Sequence, residues 1–423
     1  MTEAFLHYVW KFGLFNRQEL ETTAGEPVQV IKAGELNRDA GPDFSDARIR
    51  LGETLWAGNV EIHVHSSLWE KHGHSGDKAY ENVILHVVFE DDAPQNAVNT
   101  GIPVLVLKGR LRGEAWRNYQ NLQSSGFGIP CASSLDRVDV FSMDIWLHRM
   151  LVERLESKSE QIIASLKLNR NNWEETFYHF LARNFGFKVN AIPFELMAKS
   201  LPLSCIARHK GSLLQVEALV FGQAGLLSAD FTEEYPRALK AEYEFLRSKF
   251  RLKEINSGLW KFLRMRPVNF PTVRLAQFAM LMHKSDHLFS VMLGCPDPGE
   301  LKKLFATGAS PYWDTHFLPD RPSVELSKKL GAGSLDNILV NTVSPFLFVY
   351  GMMKDMPVYK ERAVELLEQL DPESNSVIRS WAQTGVHARS AFDSQALLQL
   401  RNNYCTARRC LDCSIGNKII SAG

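Results

Sequence analysis

The hydrophobic pattern changes period once along this chain, and that change bounds what it can fold into. Short β-rich apolar runs occupy 28–31, 47–51, 55–64, 83–89 and 104–107, separated by turn residues at Gly52-Glu53, 73–76 and 91–101. Beyond about residue 138 the apolar positions recur at helical spacing instead. In 141–158, Phe141, Ile145, Met150, Leu151 and Leu155 share one stripe, while Asp144, Arg149, Glu153 and Lys158 lie off it. Similar stretches follow at 173–186, 213–227, 234–252, 272–284, 335–353, 360–370 and 389–404. A short helix is expected over 3–14 from Phe5, Val9, Trp10, Phe12 and Leu14. The predicted class is therefore α+β or α/β: an N-terminal mixed sheet with flanking helices over 1–118, then a mainly α-helical domain over 138–423. Residues 119–137, rich in Ser, Gly and Pro, are expected as the linker.

The chain has 423 residues, too many for one ordinary core, and its 45% hydrophobic and 23% charged residues suit a globular protein. Its formal net charge is zero, so a polyanion partner would have to be met by local clusters. The N-terminus lacks a basic segment before its apolar stretch and carries Glu3, so no signal peptide is expected. The longest apolar candidate, 335–353, is interrupted by Asp336, Asn337, Asn341 and Pro345, so no membrane span and a cytoplasmic location are expected. Oligomeric state is not legible from these features.

Chemistry concentrates in 34–90. Five of the thirteen histidines lie between His63 and His86, with Glu35, Asp39, Asp43, Asp46, Glu61 and Asp77 nearby. If 55–65 is a strand, alternation sets Trp56, Val60, Ile62 and Val64 on one face and Asn59, Glu61, His63 and His65 on the other, polar face. Mixed oxygen and imidazole donors suit Mg²⁺, Mn²⁺ or Zn²⁺. Bland readings stand beside this one: Asp43 as a turn residue, the Glu61 face as solvated sheet, and His86 as a satisfied core histidine. His72, His74 and Asp77 read equally as a zinc-type cluster, with His63 and His65 completing a small-substrate zinc hydrolase, or as a polar loop.

Pro42-Asp43, a short strand, a turn and then Glu61-Ile62-His63 on the next strand resemble the core of PD-(D/E)XK nucleases, where the third position is usually Lys. The order of helix then three strands is also similar. The resemblance implies a metal-dependent phosphodiesterase acting on nucleic acid, with Asp43 and Glu61 holding Mg²⁺ or Mn²⁺, Glu35 as an outer carboxylate and His63 in place of Lys as base or ligand. The departure at His63 leaves open a degenerate core that binds nucleic acid or acts as a scaffold without catalysis. More of the chain resembles an uncharacterised bacterial domain-of-unknown-function family, on the segments AGPDF, GNVEIH, HGH, RMRPVNFPTVR and the C-terminal cysteines. That resemblance implies no activity.

Cys405, Cys410 and Cys413 have C-x4-C-x2-C spacing, and Cys131 is the favoured fourth thiol for a zinc ion. Some PD-(D/E)XK nucleases are similar in clasping the ends of the nuclease domain with four cysteines around an iron–sulfur cluster; three reduced thiols without metal are the alternative. Cys205 and Cys295 read as packing residues. Between 247 and 274 eight basic residues face one acid, Glu254, with Phe250, Trp260, Phe262 and Phe270 interleaved. Lys261, Arg264, Arg266 and Arg274 are therefore candidates for nucleic-acid contact, against a solvated helix face with core aromatics.

Overall fold

A computed structural model of the protein describes residues 1–92 and 101–422, so the turn expected over 91–101 lies largely outside the described residues. Packing divides the chain into two compact units, Met1–Leu147 together with Leu400–Gly423, and His148–Gln399. These bounds differ from those read from the sequence. Residues 119–137 lie inside the first unit, where the helix Gly113–Ser124 buries Tyr119 and Leu122. The C-terminal cysteines belong to that unit too. Asn118 Nδ2 donates to Ile419 O at 3.0 Å and Gln123 Nε2 to Arg408 O at 3.0 Å, so backbone hydrogen bonds tie the C-terminal segment to this helix.

The first unit opens with α1 (Glu3–Phe12), capped by Thr2 and ended by Gly13 in the left-handed region. Its sheet comprises β1 (Val28–Lys32), β2 (Glu35–Leu36), β3 (Phe44–Leu51), β4 (Thr54–His65), β5 (Val83–Glu90) and β6 (Val104–Val106). The order is β1-β3-β4-β5-β6, with β2 also on β3. β1, β3 and β4 pair antiparallel, whereas β4, β5 and β6 are parallel. β5 is buried over its first six residues, as expected of a strand with parallel neighbours on both sides and both faces covered.

β4 departs from the simple alternation expected. Trp56 is 49% exposed, because residues 54–57 pair with β3 alone and extend past β5, whose pairing begins at Asn59↔Val83. Glu61 and His63, expected on the polar face of the strand, are 4% and 1% exposed. From Asn59 onward β4 is central in the sheet, and α1 packs across it. A register shift between Phe44 and Ala47, with Asp46 at φ +52°, bulges the start of β3 and sets Asp43 beside β4.

The second unit is helical. Trp173–Phe185, Leu213–Gln223, Glu234–Phe250, Pro271–Lys284, Pro357–Gln369 and Ala391–Gln399 match the expected stretches, and a small hairpin pairs His316–Leu318 with Arg321–Pro322. The stretch 335–353 is helical with a π-turn at Leu339–Val343. Among the described residues no helix is long and apolar enough to cross a membrane.

Candidate metal centre

Strand geometry supplies the first two ligand candidates. Glu61 and His63, two apart on β4, project to one face, and the parallel register sets His86 of β5 beside Glu61. The chain then turns back through the helix α2 (Leu68–Lys71) and two short 3₁₀ turns, bringing His72 and His74 over the strand. Gly73 between them has φ +76°, a backbone state that a side chain would strain. Buried Trp69 anchors the excursion, donating Nε1–H to Ser75 Oγ at 3.1 Å. Among the described residues, His63, His72 and His74 offer ligand atoms that all lie within 4.8 Å of one another.

The surrounding groups converge on the same point. Glu61 Oε1 lies 3.4 Å from His74 Nε2 and 3.6 Å from His63 Nε2, and Glu3 Oε1 of α1 is 4.0 Å from His63 Nε2. The carboxylates of Asp43 and Glu61 are cross-linked through the backbone: Asp43 N–H donates to Glu61 Oε2 at 3.0 Å, and Ile62 N–H to Asp43 Oδ2 at 2.9 Å. His7 Nε2 stands 3.1 Å from the same Asp43 oxygen.

Protonation follows from burial. The His63 pKa is driven down to about 3 by burial and then by the neighbouring His86, His72 and His74, so the ring is neutral and has one N–H. His63 Nδ1 is 2.9 Å from His86 Nε2, and His63 Nε2 is 3.1 Å from His72 Nδ1. In the tautomer that donates Nδ1–H to His86, Nε2 presents its lone pair to the centre, and His86 acts as the orienting partner usual behind a metal-bound imidazole. Burial, then the charge of Asp43, pushes the Glu61 pKa up to about 8. His74 Nε2 is buried with no hydrogen-bond partner. Lone pairs crowded together, a carboxyl that resists ionisation and an orphaned imidazole nitrogen fit a bound cation, which would relieve all three.

Residues 3–376 match the family described as Protein of unknown function (DUF2851). The chain belongs to that family. The match ends before the three C-terminal cysteines, and neither the curated proteins nor the solved structures searched contain a match. The DUF2851 match covers every residue of the histidine centre.

Other residues singled out in this DUF2851 chain lie elsewhere. Glu35 is exposed and pairs with Lys32 at 3.3 Å, so its carboxylate is turned to the outer strands. His65 is half-exposed, 3.8 Å from Asp92. Asp77 caps a 3₁₀ turn, accepting from Ala79 N–H at 2.9 Å. Cys131, Cys405, Cys410 and Cys413 are all buried and free, and Cys131 is raised by burial and then by the other three thiols, which places the four in one electrostatic neighbourhood. Cys405 is pushed up to about 12, by burial and then by Cys413 and Cys410. Cys413 is raised by burial, opposed by N–H groups of Gly416 and Ile415 and by the Trp146 indole. A Cβ on Gly416 would stand 2.1 Å from Cys410 O, so this turn closes only with glycine. Lys261, Arg264 and Arg266 are exposed, but Arg274 and Trp260 are buried, the indole N–H of Trp260 donating to Ala224 O at 2.8 Å. That ring is held in the core, away from any base.

Glu3 and His7 had no signal in the sequence, because a lone acid and a lone histidine on a predicted helix carry no spacing pattern. His86 had one: its place in an apolar run marked a satisfied core histidine, and the structure adds that its partner is His63.

Proposed function

We propose that the N-terminal unit is a metal-dependent phosphodiesterase whose ion is held by His63, His72, His74 and Glu61. The observation that carries this reading is the convergence of three imidazole nitrogens, within 4.8 Å of one another, on the buried Glu61 carboxyl. Imidazole-rich donors favour Zn²⁺ or Mn²⁺ over Mg²⁺. Such an ion supplies Lewis-acid stabilisation of charge on a phosphoryl oxygen and a more acidic water. His86 orients His63, Asp43 sets Glu61 through its backbone N–H, and Glu3 holds a further carboxyl at the rim.

The substrate class rests on the adjoining cleft. A cavity of about 300 Å³ beside His7 is lined by Lys11, Arg38, Arg408 and Arg409 with one acid, Asp412, which pairs with Arg409 at 3.1 Å. Three cations remain to meet an anionic backbone. The helix followed by antiparallel β1, β3 and β4, with Asp43 just before β3 and Glu61 on β4, supports the nuclease-like reading, and nucleic acid is the substrate proposed. His7, whose Nε2 lies 3.1 Å from Asp43 Oδ2 and which lines the cleft, is the group positioned to give a proton to a leaving oxygen. The donor set alone also favours a second reading, a zinc hydrolase of a small substrate, which substrate profiling separates. The test is cleavage of single- and double-stranded DNA, RNA and bis(p-nitrophenyl) phosphate with Zn²⁺, Mn²⁺ or Mg²⁺, alongside elemental analysis. Metal-replete protein that cleaves no phosphodiester would remove the proposal.

The four thiols belong to the same proposal as a separate structural site for Zn²⁺ or an iron–sulfur cluster, and the free state of all six cysteines supports a reducing, cytoplasmic setting. Backbone N–H groups aimed at Cys413 are the donors a thiolate requires. Cys410→Ser is expected to release zinc or iron and lower the melting temperature; wild-type protein purified anaerobically without either metal would refute this part.

A further inference from the structure

The helical unit contains a cavity of about 500 Å³ whose charge is one-sided. Lys188, Arg264, Arg266 and Arg274 line it, and among the described residues no aspartate or glutamate does. Its volume lies in the range of small-molecule sites and exceeds what a bare inorganic ion needs.

Arg274 is the unusual member. It projects from the helix Pro271–Lys284, is 7% exposed, and is held only by neutral groups. Nη1 donates to Gln277 Oε1 at 2.9 Å, Nη2 donates to Asn269 Oδ1 at 2.7 Å and Ser334 Oγ at 3.3 Å, and the guanidinium lies over the Phe187 ring at 4.6 Å. Its Nε–H meets no acceptor. Burial lowers its pKa to about 10 with no carboxylate to oppose the shift. A cation taken from water without a counter-ion is costly, and an anion entering the cavity would offset that cost.

The backbone carries a second, independent sign. Phe187 and Arg264, both lining the cavity, hold φ of +49° and +61°. Neither is glycine, and left-handed backbone at such residues collects at ligand sites, where the surroundings enforce it.

We propose that this cavity binds a small organic phosphate, its phosphoryl group facing Arg264, Arg266 and Arg274 and its body lying against Phe187 and Met265. Four cations without an acid complement a dianion better than a single carboxylate, and the planar guanidinium suits phosphoryl oxygens. The enclosed position of Arg274 also separates this site from an open backbone-binding face, the role the sequence suggested for the same arginines.

Calorimetric titration of the full chain at fixed ionic strength tests the assignment, with AMP and pyrophosphate as probes and citrate and a short single-stranded oligonucleotide as comparisons. AMP is expected to bind saturably, one per chain, more tightly than pyrophosphate, and at least about tenfold more weakly to Arg264→Ala/Arg266→Ala, equivalent to losing one charge-assisted contact. Both arginines are exposed, so the variant's melting temperature without ligand should match the wild type. Arg274→Lys, which keeps the charge and loses the fork, should fall between the two. Binding weaker than roughly 1 mM for both phosphates, equal affinity in the double variant, preference for citrate, or oligonucleotide binding without AMP or pyrophosphate binding would each overturn it.

Discussion

The histidine centre and the basic cavity present opposite electrostatic problems. The first gathers lone pairs and a reluctant carboxyl; the second gathers cations in a cavity that, among the described residues, no aspartate or glutamate lines. Glu61, His63 and Arg274 are buried and cut off from the water that would screen the imbalance, whereas His72, Arg264 and Arg266 face it. Their responses differ because of the side chains used. Imidazole and carboxyl groups adjust by losing or keeping a proton, so His63 and Glu61 are neutral near pH 7. Arginine cannot deprotonate near neutral pH, so the second stays charged and is held by amide oxygens and an aromatic face. A site that discharges itself is expected to show its ligand demand as pH dependence, and one that cannot is expected to show it as affinity for a counter-ion.

The largest effect tests the histidine side. His72→Ala/His74→Ala should lower phosphodiesterase turnover by on the order of 10³-fold, since an ion that loses two ligands loses charge and position together. Circular dichroism of the metal-free variant should be unchanged, because neither ring belongs to the sheet core. Retained turnover would leave the triad as a packing feature and end the contrast.

Next in size is the pH dependence of metal binding. Glu61 must ionise to act as a ligand, and with its pKa near 8 it is protonated at pH 7, whereas His63, held near 3, has no proton to give up. Affinity for Zn²⁺ should therefore rise up to about tenfold per pH unit between 6 and 8, with about one proton released at pH 7. Calorimetry in buffers of different ionisation enthalpy measures that proton, and Glu61→Gln should abolish its release.

The same groups sharpen the comparison through metal-free stability. The raised pKa of Glu61 gives a contribution complete below its ordinary 4.5 and lost as pH climbs through about 8. His63 acts oppositely: its contribution is present above its ordinary 6.5 and lost as pH falls through about 3. Between pH 6.5 and 8 only the Glu61 change remains of these two, so stability should fall by up to about 1.4 kcal/mol per pH unit, and Glu61→Gln should flatten that limb in urea titrations.

The smallest effect belongs to the cavity. Arg274→Met exchanges an uncompensated cation for an apolar side chain that tolerates irregular packing, so ligand-free stability should shift by no more than about 1 kcal/mol in either direction. The stabilisation by AMP or pyrophosphate should vanish. A loss of several kcal/mol without ligand would make Arg274 a structural residue and break the comparison from the other side.

The sequence alone determined the change from sheet to helix, the five principal strands and the concentration of ligand-type residues in 61–86, because side-chain period and residue type are local properties. It also offered Cys131 as the favoured candidate to join the C-terminal thiols, on residue type and count. Tertiary structure decided the rest. That Glu61 and His63 are buried depends on α1 crossing β4, and that His7 and Glu3 join them depends on the same packing. Asp43 reaches Glu61 only through the bulge that starts β3. Residues 119–137 are polar enough to read as a linker, yet partners nearly 300 residues away hold the adjoining helix in the first unit. Arg274 looked like its exposed neighbours Arg264 and Arg266 because a basic residue carries the same signal wherever it lies. Whether its charge meets water, a carboxylate or only neutral oxygens is set by side chains that other parts of the fold bring to it, and no local pattern encodes them.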